Sequence, residues 1–559
     1  MKFSKENSTE AKKNLIILSI IFGVSSLVMF IPQIRELIIK FGEILIGRSL
    51  THEVWHSRFL KWEMEFLLLI LFVILISFFE KKIESIFKQE KLLNYISIVL
   101  VLFSSVFLII TSCLSDDVWV DETFSLGLAQ HNIKDLVSLT AQDVHPPLYY
   151  LILKIAMIIF PGSVTAAKIV SAVPVIIVLC ISHIFFSKEF SCKYSIFFNL
   201  LLLSYYSVMQ YAVEIRMYSW CLLFCMLCCI CSYYIIQKGN LKYFLLYVLF
   251  AEFGAYSQYW TAFGLAINFM LISILCIIKN KKLIRNILIS AVLGVVLYLP
   301  WISVVIRQVS QVSESYWIAP ITFKTFLGYF TSITPMTGIL KFVAVIILLF
   351  CAKNCISEIF QKNPSALFYL CCLLTPVLLI VCATIISLLM RPVFQAKYVF
   401  PLTIFVIFFI VFAYNEYKLP KKALLFVLLT SLLCTTINMK ESFSYEKALA
   451  QINNDFEKFM NEKVSENTVF VFGENVNGHI PPILAYLYPK NKVYNIEISE
   501  MWASAIHYDR KNLIKSLDDV NNICYVINLE DEPYEEFKES SYYNVQIGTY
   551  PPMRFYFRQ

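Results

Sequence analysis

Charge is what this chain has least of: 16% of its 559 residues are Asp, Glu, Lys or Arg, while 58% are hydrophobic and 16% aromatic. So little polar surface excludes an ordinary water-soluble globule. The mean hydropathy is +0.68, and the apolar residues gather into repeated runs near bilayer length. Dense basic patches interleaved with aromatics are also missing. The net charge of +7 therefore reads as Lys and Arg in short cytoplasmic loops, and no nucleic-acid partner is expected. Cysteine is plentiful at 16, yet zinc-type ligand sets are lacking. The nearest approach, Cys225 to Cys228 in a run of five cysteines, reads as packing by small hydrophobes. No small-residue cleavage site follows the first apolar run, no glycine-rich nucleotide loop lies in the C-terminal part, and no convincing internal repeat is visible.

What is present is a series of spans. Runs at 14–32, 63–79, 92–114, 166–187, 194–212, 218–236, 241–258, 260–278, 286–305, 338–352, 366–389, 398–414 and 422–437 are each long and apolar enough to count, about 13 crossings in all. The densest short basic loop, KNKKLIR at 279–285, anchors the cytoplasmic side, and the lysine-bearing loops agree with it when counted outward. That agreement requires the short run 147–160, with Lys154 at its middle, to be juxtamembrane or re-entrant. The N-terminus is then inside and the C-terminus outside. Residues 34–62 carry Ile34, Leu37, Ile38 and Phe41 at helical spacing, which suits an external amphipathic helix or a plain connector. The roughly 30-residue interval 306–337, with Arg307, Gln308 and Trp317, exceeds the usual connection length and reads as a lid or as interfacial padding.

Three parts follow from this map: an extra N-terminal hairpin at 1–91, a membrane domain at 92–437 with its first external loop at 115–165, and a small soluble α/β domain at 438–559. The last carries a helical stretch, SYEKALAQINNDFEKFMNEK, and strand-like runs at 468–473, 522–529 and 544–548.

The polar chemistry collects on the outer side, in four places. In SDDVWVDETF, Asp121 and Glu122 open an amphipathic helix. The helix dipole favours an ionised acid there, so Asp121 either caps the helix or serves as a general base toward a hydroxyl. His145-Pro146-Pro147 starts another helix and turns His145 outward beside Asp143, to meet a phosphate, to donate a proton, or simply to pair with Asp143. Glu214, Arg216 and Tyr218 fall at an external helix end, where ionisable residues are either functional or a turn-fixing pair. Arg391 and Lys397 in RPVFQAKYVFP present two cations to a lipid phosphate or to headgroups.

These stretches, with GAYSQYW (254–260, including Tyr256) and YLPWI (298–302), occur in an order that resembles the GT-C glycosyltransferases. The likeness is to the protein O-mannosyltransferase and lipid A aminoarabinose transferase type, bacterial glycosyltransferase family 39, over roughly residues 100–415. The resemblance implies an all-α polytopic membrane enzyme taking a sugar from a polyprenyl-phosphate carrier on the external leaflet, with inversion, and passing it to a lipid, glycan or protein acceptor. Asp121 matches the catalytic base with Glu122 beside it. His145 stands where a His or Lys meets the lipid phosphate, and Glu214 and Arg216 match an acid and arginine pair. Asp143, Tyr218, Tyr256, Arg391, Lys397 and Tyr398 complete the donor and substrate set. Lys397-Tyr398 departs from the usual Arg-Tyr, and KIVSA (168–172) stands where Arg-Leu-Pro-Ser is common. No cofactor is required; where relatives hold a divalent ion, Asp121, Glu122 and Glu214 would be its hosts. A lipid-linked glycan flippase, or a non-catalytic glycan-binding membrane protein, is the alternative.

Overall fold

Backbone amides inside a bilayer find no water, so an apolar chain must satisfy them internally, and this one does so with helices. The computed structural model describes residues 31–46, 51–314, 318–360, 364–416, 421–473, 476, 478–494, 504–506 and 521–558. Helices α1 (Pro32–Ile46), α2 (His52–Ile86) and α3 (Glu90–Ser112) lead into the polar interval, which holds α4 (Val120–Gln130), α5 (Ile133–Thr140) and α6 (Leu148–Ile159). There follow α7 (Val164–Glu189), α8 (Cys192–Leu203), α9 (Tyr206–Val213), α10 (Tyr218–Lys238), α11 (Leu241–Ala255), α12 (Tyr259–Lys279) and α13 (Ile284–Glu314). The bundle closes with α14 (Phe323–Ser332), α15 (Lys341–Phe360), α16 (Pro364–Leu389), the single turn α17 (Ala396–Val399), α18 (Thr403–Glu416) and α19 (Lys421–Lys463).

Among the described residues nine helices are long and apolar enough to cross a membrane, ten if one bent pair counts as a span. The protein is therefore a multi-pass membrane protein, as its composition requires. The expected first span, 14–32, lies outside the described residues but for Ile31 and Pro32, and 63–79 falls inside α2. The short run 147–160 is α6, only 12 residues long. Every residue from Thr403 to Tyr414 of α18 is buried, so this helix, apolar all round, is the axis on which the others pack. Helix α13 is its opposite: Leu288, Val292, Val295, Leu299 and Ile306 are exposed on the apolar outside of the bundle.

One expected span is not straight. The run 194–212 breaks between α8 and α9, whose axes meet at 73°. The carbonyls freed at the break are collected by α19, more than 200 residues away. Asn438 Nδ2 donates to the carbonyls of Leu203 at 3.2 Å and Ser204 at 2.9 Å, and Cys434 Sγ donates to the latter at 3.3 Å. Because the partners are so distant, the local apolar pattern held no sign of the bend. Its effect is to bring the end of α9, Glu214 onward, against α4.

The span expected at 422–437 and the helical stretch after it form one rod, α19, of 43 residues. Helix α2 packs along it, and Lys61 pairs with Glu441 at 2.7 Å. At its far end stands a five-stranded sheet in the order β2-β1-β3-β5-β4, formed by β1 (Val469–Phe472), β2 (Val493–Tyr494), β3 (Ile523–Asn528), β4 (Tyr542–Val545) and β5 (Met553–Arg558). The β1–β2 and β1–β3 pairs are parallel, and β5 runs antiparallel to β3 and β4. Strands β1 and β3 fall on the expected runs, while β4 lies two residues earlier than expected and shares only Asn544 and Val545 with the run 544–548. Strand β2 is two residues long, too short for a pattern, and β5 follows Pro551-Pro552, which reads as a turn.

The bend makes a testable demand. Asn438→Leu takes the Asn438 donor from the Leu203 carbonyl and leaves the Ser204 carbonyl with the weaker Cys434 thiol, at a cost of roughly 2 kcal/mol. The purified protein should melt a few degrees lower in detergent, whereas Thr436→Ala, on the exposed face of the same helix, should not shift the transition.

Candidate functional site

Four of the polar stretches meet at one point, and helix α4 is built to present it. Trp119, in extended conformation, precedes the helix. Its backbone N–H is capped not by Asp121 but by Glu122, whose Oε2 accepts at 3.1 Å. The other oxygen of Glu122 accepts from the N–H of Ile215 at 2.8 Å. This buried carboxylate thus serves as a clamp between two backbone segments, and Asp121, relieved of capping, faces the site. At the far end of α4, Lys154 of α6 donates to the carbonyls of His131 at 2.5 Å and Ala129 at 3.3 Å. A cation at a helix C-terminus is favourable, which explains a lysine in the middle of an apolar run.

Asp121 Oδ2 lies 3.6 Å from Lys397 Nζ and 4.0 Å from Arg216 Nη2. Lys397 is walled by three aromatic rings, with Nζ 5.8 Å from the centroids of Trp119 and Tyr398 and 6.0 Å from that of Tyr218. Arg216 is held from several sides. Its Nη1 donates to the backbone carbonyl of Asp121 at 3.2 Å, to Ser125 Oγ at 3.3 Å and to Tyr150 OH at 3.4 Å. Its Nη2 makes a long contact, 3.5 Å, with His145 Nε2. Among the described residues, the buried Nε of Arg216 and the buried hydroxyl of Tyr218 find no partner.

His145 is defined by its neighbours. Burial lowers its pKa, the Arg216 charge adds to this, and the Asp143 bond opposes it without reversing the direction. The ring is therefore neutral at pH 7. Asp143 is itself held below the ordinary carboxylate range; burial pushes it up, but the His145 hydrogen bond, the His145 charge when the ring is protonated, the Val144 N–H and the Arg216 charge together outweigh that. The Asp143 carboxylate accepts from Nδ1 at 3.1 Å, so Nε2 carries the lone pair that faces Arg216. The expected pair with Asp143 is present, and it extends into a chain, Asp143 to His145 to Arg216.

Two residues of the expected set stand apart from this point. Tyr256 sends its hydroxyl to the carbonyl of Leu297 on α13, at 2.9 Å; its contribution is its own carbonyl, which accepts from Leu148 N–H at 2.9 Å and fixes the start of α6. Arg391 is exposed at the rim of a cavity beside His145. Arg307 and Gln308, expected in a loop, lie on α13. From there they donate to the 140–143 turn, Arg307 to the Ala141 carbonyl at 3.0 Å and Gln308 to the carbonyls of Thr140, Ala141 and Asp143. Trp317 lies outside the described residues. Tyr150 was given no role of its own from the sequence; Lys154 and Gln308 were noted, as a charge in an apolar run and as part of an overlong interval, without their contacts being foreseen.

Cavities lie on both sides. One, of about 510 Å³, is almost wholly apolar and is lined by His145, Tyr259, Trp260, Tyr298, Met390 and Tyr398 among others. The other, of about 410 Å³, is polar and is bordered by Trp119, Glu122, Lys168, Glu214 and Glu446. Asp121, Lys397 and Arg216 belong to neither lining, but their neighbours do: His145, in contact with Arg216, and Tyr398, beside Lys397, line the apolar cavity, and Trp119, also beside Lys397, lines the polar one. The C-terminal part closes over α4: a Cβ on Gly127 would lie 2.6 Å from the Ala505 carbonyl, and His131 Nε2 contacts the Ser504 carbonyl at 3.0 Å. Asp121, Glu122 and Glu214 do not assemble as the hosts of an ion. Among the described residues no group of three or more His, Cys, Asp or Glu is arranged to hold a metal.

No family model matches the chain, and a search of curated proteins finds no match. Solved structures do match. A crystal structure of ArnT from Cupriavidus metallidurans in the apo state superposes with a TM-score of 0.56 at 10% identity, covering 82% of this chain and 97% of that one. The structure of the same protein bound to undecaprenyl phosphate gives 0.55 over the same shares, also at 10% identity. The likeness establishes the fold, the one that the sequence motifs implied.

Burial raises the Glu122 pKa to about 7 and the Asp117 pKa to about 6. A carboxyl raised in the folded state stabilises fully below its unfolded value, near 4.5 for Glu, and loses that contribution as pH climbs through the folded value. The melting temperature should therefore fall between pH 5 and 8. Glu122→Gln should flatten the fall, leaving the part due to Asp117, and an unchanged slope would show that Glu122 does not titrate there.

Proposed function

We propose that the protein is an inverting membrane glycosyltransferase that moves a sugar from a polyprenyl-phosphate donor to a hydroxyl acceptor, on the external face of the membrane, with Asp121 as base. The observation that carries this reading is the carboxylate of Asp121 flanked by two cations, whose neighbours His145 and Tyr398 line an apolar cavity and whose neighbour Trp119 lines a polar one. An isoprenoid chain suits the apolar cavity and a sugar the polar one. The fold match includes an ArnT structure with undecaprenyl phosphate bound, which supports a carrier of that class here.

Chemically, the acceptor O–H gives its proton to Asp121 as its oxygen bonds the anomeric carbon. The bond from that carbon to the phosphate oxygen breaks, and polyprenyl phosphate departs with the electron pair. The phosphate gains a negative charge in this step, so Arg216 and Lys397, fixed before the reaction, stabilise the transition state more than the ground state. With the donor bound, its phosphate competes with Asp121 for these cations and leaves the carboxylate oxygen free for the acceptor. The unspent Nε of Arg216 and the Tyr218 hydroxyl are further donors for phosphate oxygens. Arg391, at the rim of the apolar cavity, suits a headgroup or the incoming phosphate. No step calls for a metal, because phosphate is already a good leaving group. In this reading the C-terminal sheet is extracytoplasmic and lies over the site.

Purified protein offered a panel of undecaprenyl-phosphate sugars should transfer one of them to water or to membrane extract. Asp121→Asn should cut kcat by about 100- to 10,000-fold while undecaprenyl phosphate still binds. A folded wild type that binds the lipid yet transfers no sugar from any donor would favour a flippase or a non-catalytic binder.

A further inference from the structure

Glu214 is the polar side chain that the site leaves unused. It is 8% exposed, it borders the polar cavity, and among the described residues no hydrogen bond or ion pair reaches its carboxylate. Burying a carboxylate without a partner is costly, and burial raises its pKa, with the Glu122 charge adding to the shift. The rest of the cavity is acidic in composition. Asp117, Glu122 and Glu446 also border it, while Lys168, the cation in its wall, is already spent on Glu446 at 3.1 Å, both side chains being about 5% exposed or less. Trp119, Tyr206 and Tyr445 add aromatic faces, and Gln210, Ser442 and Thr549 add neutral donors and acceptors.

We infer that this cavity is a subsite for an uncharged, hydroxyl-rich sugar ring and that it excludes phosphate-bearing ligands. The inference rests on the reading of Asp121 as base. Vicinal hydroxyls supply the donors that Glu214 lacks, and flat aromatic walls accept the apolar face of a sugar ring. A phosphate would be desolvated beside four acids with the one lysine of the lining already spent on Glu446, so its charge would find no cation to pair with, whether or not the raised acids are ionised. At about 410 Å³ the space is within the range of small-ligand sites. Trp119 belongs both to this cavity and to the aromatic wall around Lys397, which places the cavity next to the Lys397–Asp121 pair. The chemistry fits either the sugar of the donor or that of an acceptor glycan. It does not fit an acceptor whose reacting group is a phosphate.

The test uses full-length protein in nanodiscs and saturation-transfer NMR with methyl glycosides of glucose, galactose and mannose, beside their 6-phosphates. At least one neutral glycoside should bind, and its 6-phosphate at least about tenfold more weakly. Leu449→Trp, which fills the cavity, should abolish glycoside binding while undecaprenyl phosphate binds as in wild type. Should Leu449→Trp fail to fold, Thr549→Arg, at an exposed rim position, should narrow the difference between glycoside and 6-phosphate by a similar factor. The two sources separate with lipid-linked ligands: loss of undecaprenyl-phosphate-sugar affinity in Leu449→Trp, with undecaprenyl phosphate unaffected, assigns the cavity to the donor sugar. Unchanged donor affinity with lost glycoside binding assigns it to the acceptor. The proposal is overturned if the 6-phosphates bind as tightly as the neutral sugars, if no glycoside binds a wild type that binds undecaprenyl phosphate, or if the filled variant retains glycoside binding. Failure of undecaprenyl phosphate to bind wild type at all would instead count against the polyprenyl-donor reading.

Discussion

A single buried carboxylate couples the two halves of the site. Glu122 accepts one N–H from the start of α4 and one from the segment carrying Arg216, so Asp121 and the guanidinium beside it share an anchor. Helices in a membrane are stiff, but the turns between them are not, and catalysis by fixed charge depends on positions held to a fraction of an ångström. The other contacts of α4 serve the same end. Lys154 ties its C-terminus, Arg216 ties its first turn through the Asp121 carbonyl, and the 504–506 segment lies so close that only glycine fits at 127.

Arg216 and Lys397 solve one problem in different ways. Arg216 is surrounded by acceptors and kept in orientation by the neutral His145, whose ring is itself set by Asp143. Lys397 has few hydrogen-bond acceptors; three aromatic faces confine it, a softer constraint that suits a point charge with three rotatable donors. The departure from the usual Arg-Tyr is thus matched by its surroundings. The lysine needs no bidentate partner where the wall is aromatic.

The fold class and much of the site were legible in the sequence because both rest on local signals. Bilayer-length apolar runs announce helices wherever they occur, and acids, histidine and arginine at the ends of such runs are conspicuous because charge is rare. Asp121, His145, Arg216 and Lys397 were found in this way and do converge. What stayed hidden depends on contacts distant in sequence. The break between α8 and α9 is stabilised from Asn438, the 140–143 turn is held from Gln308, and the lone cation of the polar cavity is matched by Glu446. Glu122 shows the limit from the other side: it was read as a companion of Asp121, whereas its neighbours in space are two backbone amides. Tyr256 lies in a telling motif yet works through its carbonyl, which no side-chain pattern reports.

Helix α19 carries more than a connection. At about 1.5 Å per residue its 43 residues make a rod of roughly 64 Å, about twice the hydrocarbon thickness of a bilayer. Asn438 is fixed at the α8–α9 break, Glu446 and Leu449 border the polar cavity, and Phe456 and Met460 enter the core of the sheet. Such a rod transmits phase as well as distance. Adding or removing one residue between Asn438 and Phe456 would turn everything beyond it by about 100°, so the cavity wall and the sheet would lose register together. Length can therefore vary here only in near-whole turns, unlike in a loop, and the spacing of these contacts is as much a part of the site as the charges it holds.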